Sequence, residues 1–155
     1  MNVNNSVETA HESAFAGVLE RARQRKLSVS ELFQVSEVLS AAGRHAHVVD
    51  LYKAWIAYND NSPLLHLVYF NYSVAIRQMS DLPGAINALR VAVKIEPGFG
   101  AAHINLGRAL EDSGLIDDAL AQWRTYVDHS SDITPERLAH RLMNLQHIGR
   151  VLEEA

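Results

Sequence analysis

The side chains of this sequence that could do chemistry are eight histidines, the acid pairs Glu111-Asp112 and Asp117-Asp118, and a series of amides at Gln34, Asn71 and Asn105. Histidines and carboxylates would suggest a metal centre or acid–base catalysis. His45 and His47, however, are two residues apart, a spacing that diverges on a helix, and the sequence places no third ligand near them. Glu111-Asp112 sits beside a turn, and Asp117-Asp118 opens a helix, where carboxylates are favoured by the free amides of the first turn. The sequence contains no Gly-rich phosphate loop, no HExxH helix, no paired Cys/His ligands and no Ser-His-acid motif. Neither an enzyme nor a cofactor site is therefore expected. The amides carry a different chemistry. Each offers one acceptor and two donors, so it can hold a peptide's backbone amide from both sides without reading its side chains.

The elements that must position these amides are written as a repeat. HLVYFNYSVAIRQMSDLPGAINALRVAVKIEPGF and GAAHINLGRALEDSGLIDDALAQWRTYVDHSSDI lie 34 residues apart and carry similar residue classes at matching places. Asn71 matches Asn105, Ile76 matches Leu110, Ala85 matches Ala119, and Leu89 matches Trp123. An earlier copy starts near Val29, where Ser28-Val29-Ser30-Glu31 has the spacing of a capping box, and it carries Gly43 at its turn. Its end holds about three residues beyond the period, a loop insertion that costs little entropy. Ser62-Pro63 predicts a cap with proline at the first position of the next helix. Thr134-Pro135 opens a further helix whose Leu145, Ile148, Gly149 and Leu152 repeat the first-helix pattern after an eight-residue excess, TPERLAHR. Ahead of all this, apolar residues at Ala10, Ala14, Phe15, Val18, Leu19 and Ala22 predict an N-terminal helix from about Val7 to Lys26. Its cluster of Arg21, Arg23, Arg25 and Lys26 reads as cations solvating a helix end.

Bulk properties agree with an interaction role. The chain of 155 residues is 48% hydrophobic and 21% charged with a net charge of −4, so it can bury a core and has no bulk attraction for nucleic acid or an anionic membrane. Cysteine is absent, and no apolar run is long enough to span a membrane or serve as a signal peptide. A cytoplasmic location is expected.

The spacing of Leu106-Gly107, Leu110, Gly114, Ala119 and Trp123, with Ala85, Leu89, Ala92 and Pro97 in the preceding copy, resembles the tetratricopeptide repeat. Small residues stand where two helices cross, and proline ends the second helix. Departures are Ser36 and Ser73 at small-residue crossings, Val48 for alanine, Tyr69 and His103 for tryptophan, Tyr126 against Ala92 and Ser131 against Pro97. The resemblance implies an all-α helix-turn-helix solenoid. Its parts are an N-terminal helix (1–28) packing on the first repeat, repeats at 29–65, 66–99 and 100–133, and the first helix of a partial fourth at 134–155. The final helix ends where a turn to its partner is expected, which suggests a cut from a longer protein.

In that family the first helices line a concave groove. The resemblance places Gln34, Asn71, Asn105, Phe70, Val74, Arg77, Ile104 and Arg108 there, with His147 next in the amide column. Such a column is similar to the asparagine ladder of O-linked N-acetylglucosamine transferases. SPLLHLVYFNYSVAI, INLGRALEDSG and RLMNLQHIGRVLEEA resemble the repeat region of their bacterial SPINDLY-like branch. The leading expectation is a groove for an extended peptide or protein client, recruiting substrate for a transferase domain outside these residues. A free-standing adaptor, or a scaffold self-associating through its terminal repeat, are the alternatives. A clamp for a C-terminal carboxylate is disfavoured because Phe33, Glu37, Phe70 and Val74 occupy inward positions and no lysine does. Asn71 and Asn105 can also serve stacking between neighbouring first helices.

Overall fold

The structure, a computed structural model, describes residues 3–129 and 134–153, without the side chains of 3–5, 129, 135, 137, 148, 151 and 152. Ser131 lies outside the described residues, as do the side chains of Ile148 and Leu152. Among the described residues there are eight helices and no strand: α1 (Val3–Arg23), α2 (Val29–Ala41), α3 (His45–Tyr58), α4 (Leu65–Gln78), α5 (Leu82–Ile95), α6 (Gly100–Asp112), α7 (Ile116–His129) and α8 (Pro135–Glu153). The chain falls into two compact units, residues 1–68 and 69–155, with the division inside α4.

In the first unit, Ser28 and Glu31 close the expected capping box at the start of α2. Gly43, at φ 72°, supplies the left-handed residue that ends it. Leu32, Val48, Leu51, Tyr52 and Trp55 form the core with Ala22 and Leu27, and Trp55 Nε1 donates to the Leu27 carbonyl at 2.8 Å. α1 stops three residues before the expected Lys26, because Arg25 adopts φ 58° and turns the chain. α1 then packs chiefly along α3. Arg44, the residue preceding α3, reaches Glu8 at 2.9 Å and Glu12 at 3.4 Å, while His47 meets Glu12 at 3.0 Å and packs edge-on against Phe15. No group of three metal-binding side chains occurs among the described residues. Of the cations at the end of α1, Arg21, Arg23 and Arg25 pair with Glu31, Glu20 and Asp60.

One expectation needs correction here. Pro63 is not the first residue of a helix: Ser62 caps a tight turn, its Oγ accepting from Leu64 N–H at 3.3 Å, and α4 begins two residues after the proline at Leu65. Tyr58 is 45% exposed because it lies at the last turn of α3, beyond the packed segment.

In the second unit the helix limits fall where the repeat puts them. Ile86, Leu89, Ala92, Ala102, Leu106, Ala109, Leu110, Ala119, Trp123 and Tyr126 form its core, joined by Leu138 and Leu145 of α8. Gly107 lies under Trp123, where a Cβ would come within 2.6 Å of the indole ring. Tyr126, larger than its counterpart Ala92, is accommodated by Gly100, whose missing Cβ would sit 3.2 Å from the phenol ring. The serines at small-residue crossings are satisfied: Ser36 Oγ donates to Leu32 O at 2.7 Å and Ser73 Oγ to Phe70 O at 2.6 Å. No helix of the described residues is long and apolar enough to cross a membrane.

Candidate peptide-binding face

On α6, Ala102, His103, Leu106, Gly107, Ala109 and Leu110 are buried, which leaves Ala101, Ile104, Asn105, Arg108 and Asp112 along the outer arc. On α4, burial of Ser73, Ala75 and Ile76 leaves Phe70, Asn71, Val74, Arg77 and Gln78 on the corresponding arc. These arcs are tied together at their C-terminal ends by an ion pair between Arg77 and Asp112. Phe70 packs edge-on against Phe99, with ring centroids 5.1 Å apart.

A second connection links α6 to α8. Glu111 accepts hydrogen bonds from Trp123 Nε1 at 2.7 Å and from Arg141 Nε at 2.9 Å and Nη2 at 2.6 Å. The Arg141 guanidinium also lies 5.0 Å from the centre of the Trp123 ring. One carboxylate thereby satisfies a buried indole and a cation from another helix. In the pair Asp117-Asp118, Asp118 binds Arg90 at 2.9 Å.

The eight side chains expected to bind a ligand divide into groups. Asn105 is half-buried and makes no side-chain hydrogen bond among the described residues, and Arg108 is exposed with no ion pair among them. Val74 is 41% exposed, and Ile104 and Phe70 are half-buried. Arg77 is engaged by Asp112, and Asn71, half-buried, already has an interaction within the chain. Gln34 belongs to the first unit and faces a different feature. An apolar cleft of about 400 Å³ opens between α1 and α2, lined by Phe15, Val18, Val35, Val38 and Leu39 with Gln34 at its edge. The sequence reading missed this cleft.

Of the predicted final helix, α8, it had placed only His147 on this face. Leu138 and Leu145 are buried while Met143, Gln146, His147 and Arg150 lie exposed, so α8 offers an arc equivalent to that of α6. Arg150 stands 42 residues after Arg108, which is the 34-residue period plus the eight-residue excess (34 + 8). That offset was the available clue. Beneath the arc, the buried His103 donates from Nε2 to the Pro97 carbonyl at 2.8 Å and accepts at Nδ1 from Gln122, as a packing histidine should.

No family model matches the chain. It is 33% identical over 102 residues, 64% of its own length, to small glutamine-rich tetratricopeptide repeat-containing protein 2 of Mycosarcoma maydis, and spans 28% of that relative's length. Among solved structures, MamA superposes with a TM-score of 0.65 at 16% identity, over 99% of this chain and 88% of that one. The first tetratricopeptide domain of Spaghetti (RPAP3), bound to the HSP90 peptide SRMEEVD, superposes with a TM-score of 0.59 at 13% identity, over 76% and 91%. The fold is the all-α tetratricopeptide type.

Proposed function

We propose that this chain is a protein-interaction module that holds an extended peptide across the outer arcs of α4, α6 and α8. The observation that carries this reading is Asn105, a half-exposed amide with no side-chain hydrogen bond among the described residues, beside Arg108, which has no ion pair among them. A half-exposed amide without a partner in the chain is left to bond water, and a peptide backbone offers it both a donor and an acceptor. A domain of the same fold has been seen with a peptide bound, which supports the mode without identifying the ligand.

A clamp for a terminal carboxylate does not suit these residues. The lysines of the chain are Lys26, Lys53 and Lys94, and all three lie outside α2, α4, α6 and α8. The relative with matching sequence is a repeat-containing protein, which favours an adaptor as the setting. The recruiting arm of a SPINDLY-like O-linked glycosyltransferase is the second reading. It rests on INLGRALEDSG and RLMNLQHIGRVLEEA and on the amide column. Coding sequence for a nucleotide-sugar-dependent transferase domain in the same reading frame decides between the two.

The binding reading is tested by screening an arrayed library of extended peptides against the wild type and the double variant Asn71→Ala, Asn105→Ala. Helicity unchanged with retained signal lost across the array is the expected result. Equal capture by both proteins overturns the reading, and a sharply lowered melting temperature assigns the asparagines to stacking instead.

A further inference from the structure

The arcs of α4, α6 and α8 carry an ordered sequence of side chains, and that order points to a ligand class. At the ninth position of successive repeats stand Val74, Arg108 and Arg150. All three are exposed, and neither arginine has an ion pair among the described residues. The sixth positions alongside them are Asn71, Asn105 and His147. The face therefore runs from apolar at α4 to cationic at α6 and α8.

The acids nearby do not cancel this charge. Asp112 is matched by Arg77, and Glu111 by Arg141. Glu136 lies at the opposite end of α8 from Arg150, about 21 Å along the helix axis. Glu153, one turn beyond Arg150, forms no ion pair with it. Among the described residues the unpaired charges here are Arg108 and Arg150 with Glu153 at the end of α8, a net positive face in a chain of net charge −4.

Spacing converts the order into a pattern. Successive arcs are joined by side-chain ion pairs, Arg77 with Asp112 and Arg141 with Glu111, which puts their helices on the order of 10 Å apart, and an extended chain advances about 3.3 Å per residue. A peptide laid across the arcs thus meets a new helix at about every third residue. We infer that the ligand is an internal segment with an apolar side chain over Val74 and acidic side chains three and six residues away, over Arg108 and Arg150. This rests on the reading of the face as a peptide site. It differs from a terminal-carboxylate ligand because the anions are side chains, separated by uncharged residues.

Fluorescence anisotropy with the full 155-residue chain tests it. The probes are labelled, C-terminally amidated Gly/Ser peptides carrying one phenylalanine and two glutamates at the stated spacing. Both chain directions are synthesised, together with counterparts bearing glutamine for glutamate. In at least one direction the acidic peptide should bind about tenfold or more tighter than its neutral counterpart, with a preference that shrinks as salt rises. Arg108→Glu with Arg150→Glu should abolish that preference, and Arg108→Gln with Arg150→Gln should do the same if charge reversal impairs folding. Equal binding of acidic and neutral peptides overturns this inference while leaving the peptide site standing. Preference retained in the arginine variants also overturns it. Binding of no peptide at all removes both readings.

Discussion

Gly107 shows how a single atom can set the distance between two helices. Its absent Cβ would lie 2.6 Å from Trp123, whose ring is buried and also held by Glu111. Gly107→Ala should therefore destabilise the chain by about 1–3 kcal/mol despite the usual gain in helix propensity, because the ring has no room to retreat. Urea denaturation measures this, and an unchanged midpoint would show that the indole shifts freely. Glu31 governs a different property. Hydrogen bonds from Arg21, then from the Ser28 backbone and hydroxyl, lower its pKa to about 2 from an ordinary 4.5. A depressed carboxylate stabilises the fold above its unfolded pKa and loses that contribution as pH falls through the folded one. The stability difference between wild type and Glu31→Gln should accordingly narrow between pH 4.5 and 2, as thermal melts across that range would show. The packing role of Gly107 and the capping role of Glu31 were both legible, because each depends on neighbours at fixed repeat or helix spacing. The role of Glu111 was not. Its partner Arg141 is 30 residues ahead, in the portion of α8 that departs from the period.

At the scale of elements, the three helical hairpins share one turn geometry but not one turn residue. Gly43 and Gly114 adopt φ 72° and 74°, and Ser80, at the same place in the middle repeat, adopts φ 63°. A left-handed conformation costs a side-chain-bearing residue about 1–2 kcal/mol. Glycine would return roughly 0.5–1 kcal/mol of that through its looser unfolded chain. Ser80→Gly should thus be neutral to stabilising, by up to about 1 kcal/mol, whereas Gly43→Ser and Gly114→Ser should each destabilise; chemical denaturation of the three variants reads the sign. The limits of α5, α6 and α7 were legible because proline, glycine and apolar spacing coincide there. The start of α4 was not, since Ser62-Pro63 serves a tight turn as well as it would a helix. α8 depends on the Glu111 connection. Glu111→Ala leaves the Trp123 indole N–H without its acceptor and Arg141 without its counter-charge, so a loss of about 1–3 kcal/mol is expected. Faster hydrogen exchange along α8, with α5 unaffected, would locate the loss.

Across the whole molecule, equivalent repeat positions meet different surroundings in the two units. Val38 and Ala109 both occupy the tenth position of a first helix, yet Val38 is 69% exposed at the α1–α2 cleft and Ala109 is 0% exposed. Periodicity marks which face of α2 is apolar, but nothing in it says that α1 would pack along α3 and leave that face open. Val38→Asp should change stability by no more than about 0.5 kcal/mol, while Ala109→Asp should prevent folding by burying an unpaired charge; circular dichroism melts of the pair test the contrast. The connections themselves reach only about one repeat along the chain: Asn59 to Ala22 spans 37 residues, and Arg77 to Asp112 spans 35. Contacts of such short reach close in microseconds to milliseconds, whereas a ribosome adds only about 5–20 residues per second. Each hairpin therefore waits a few seconds for its next partner to be made and almost no time to join it. Synthesis, rather than conformational search, sets the pace at which this chain acquires its structure.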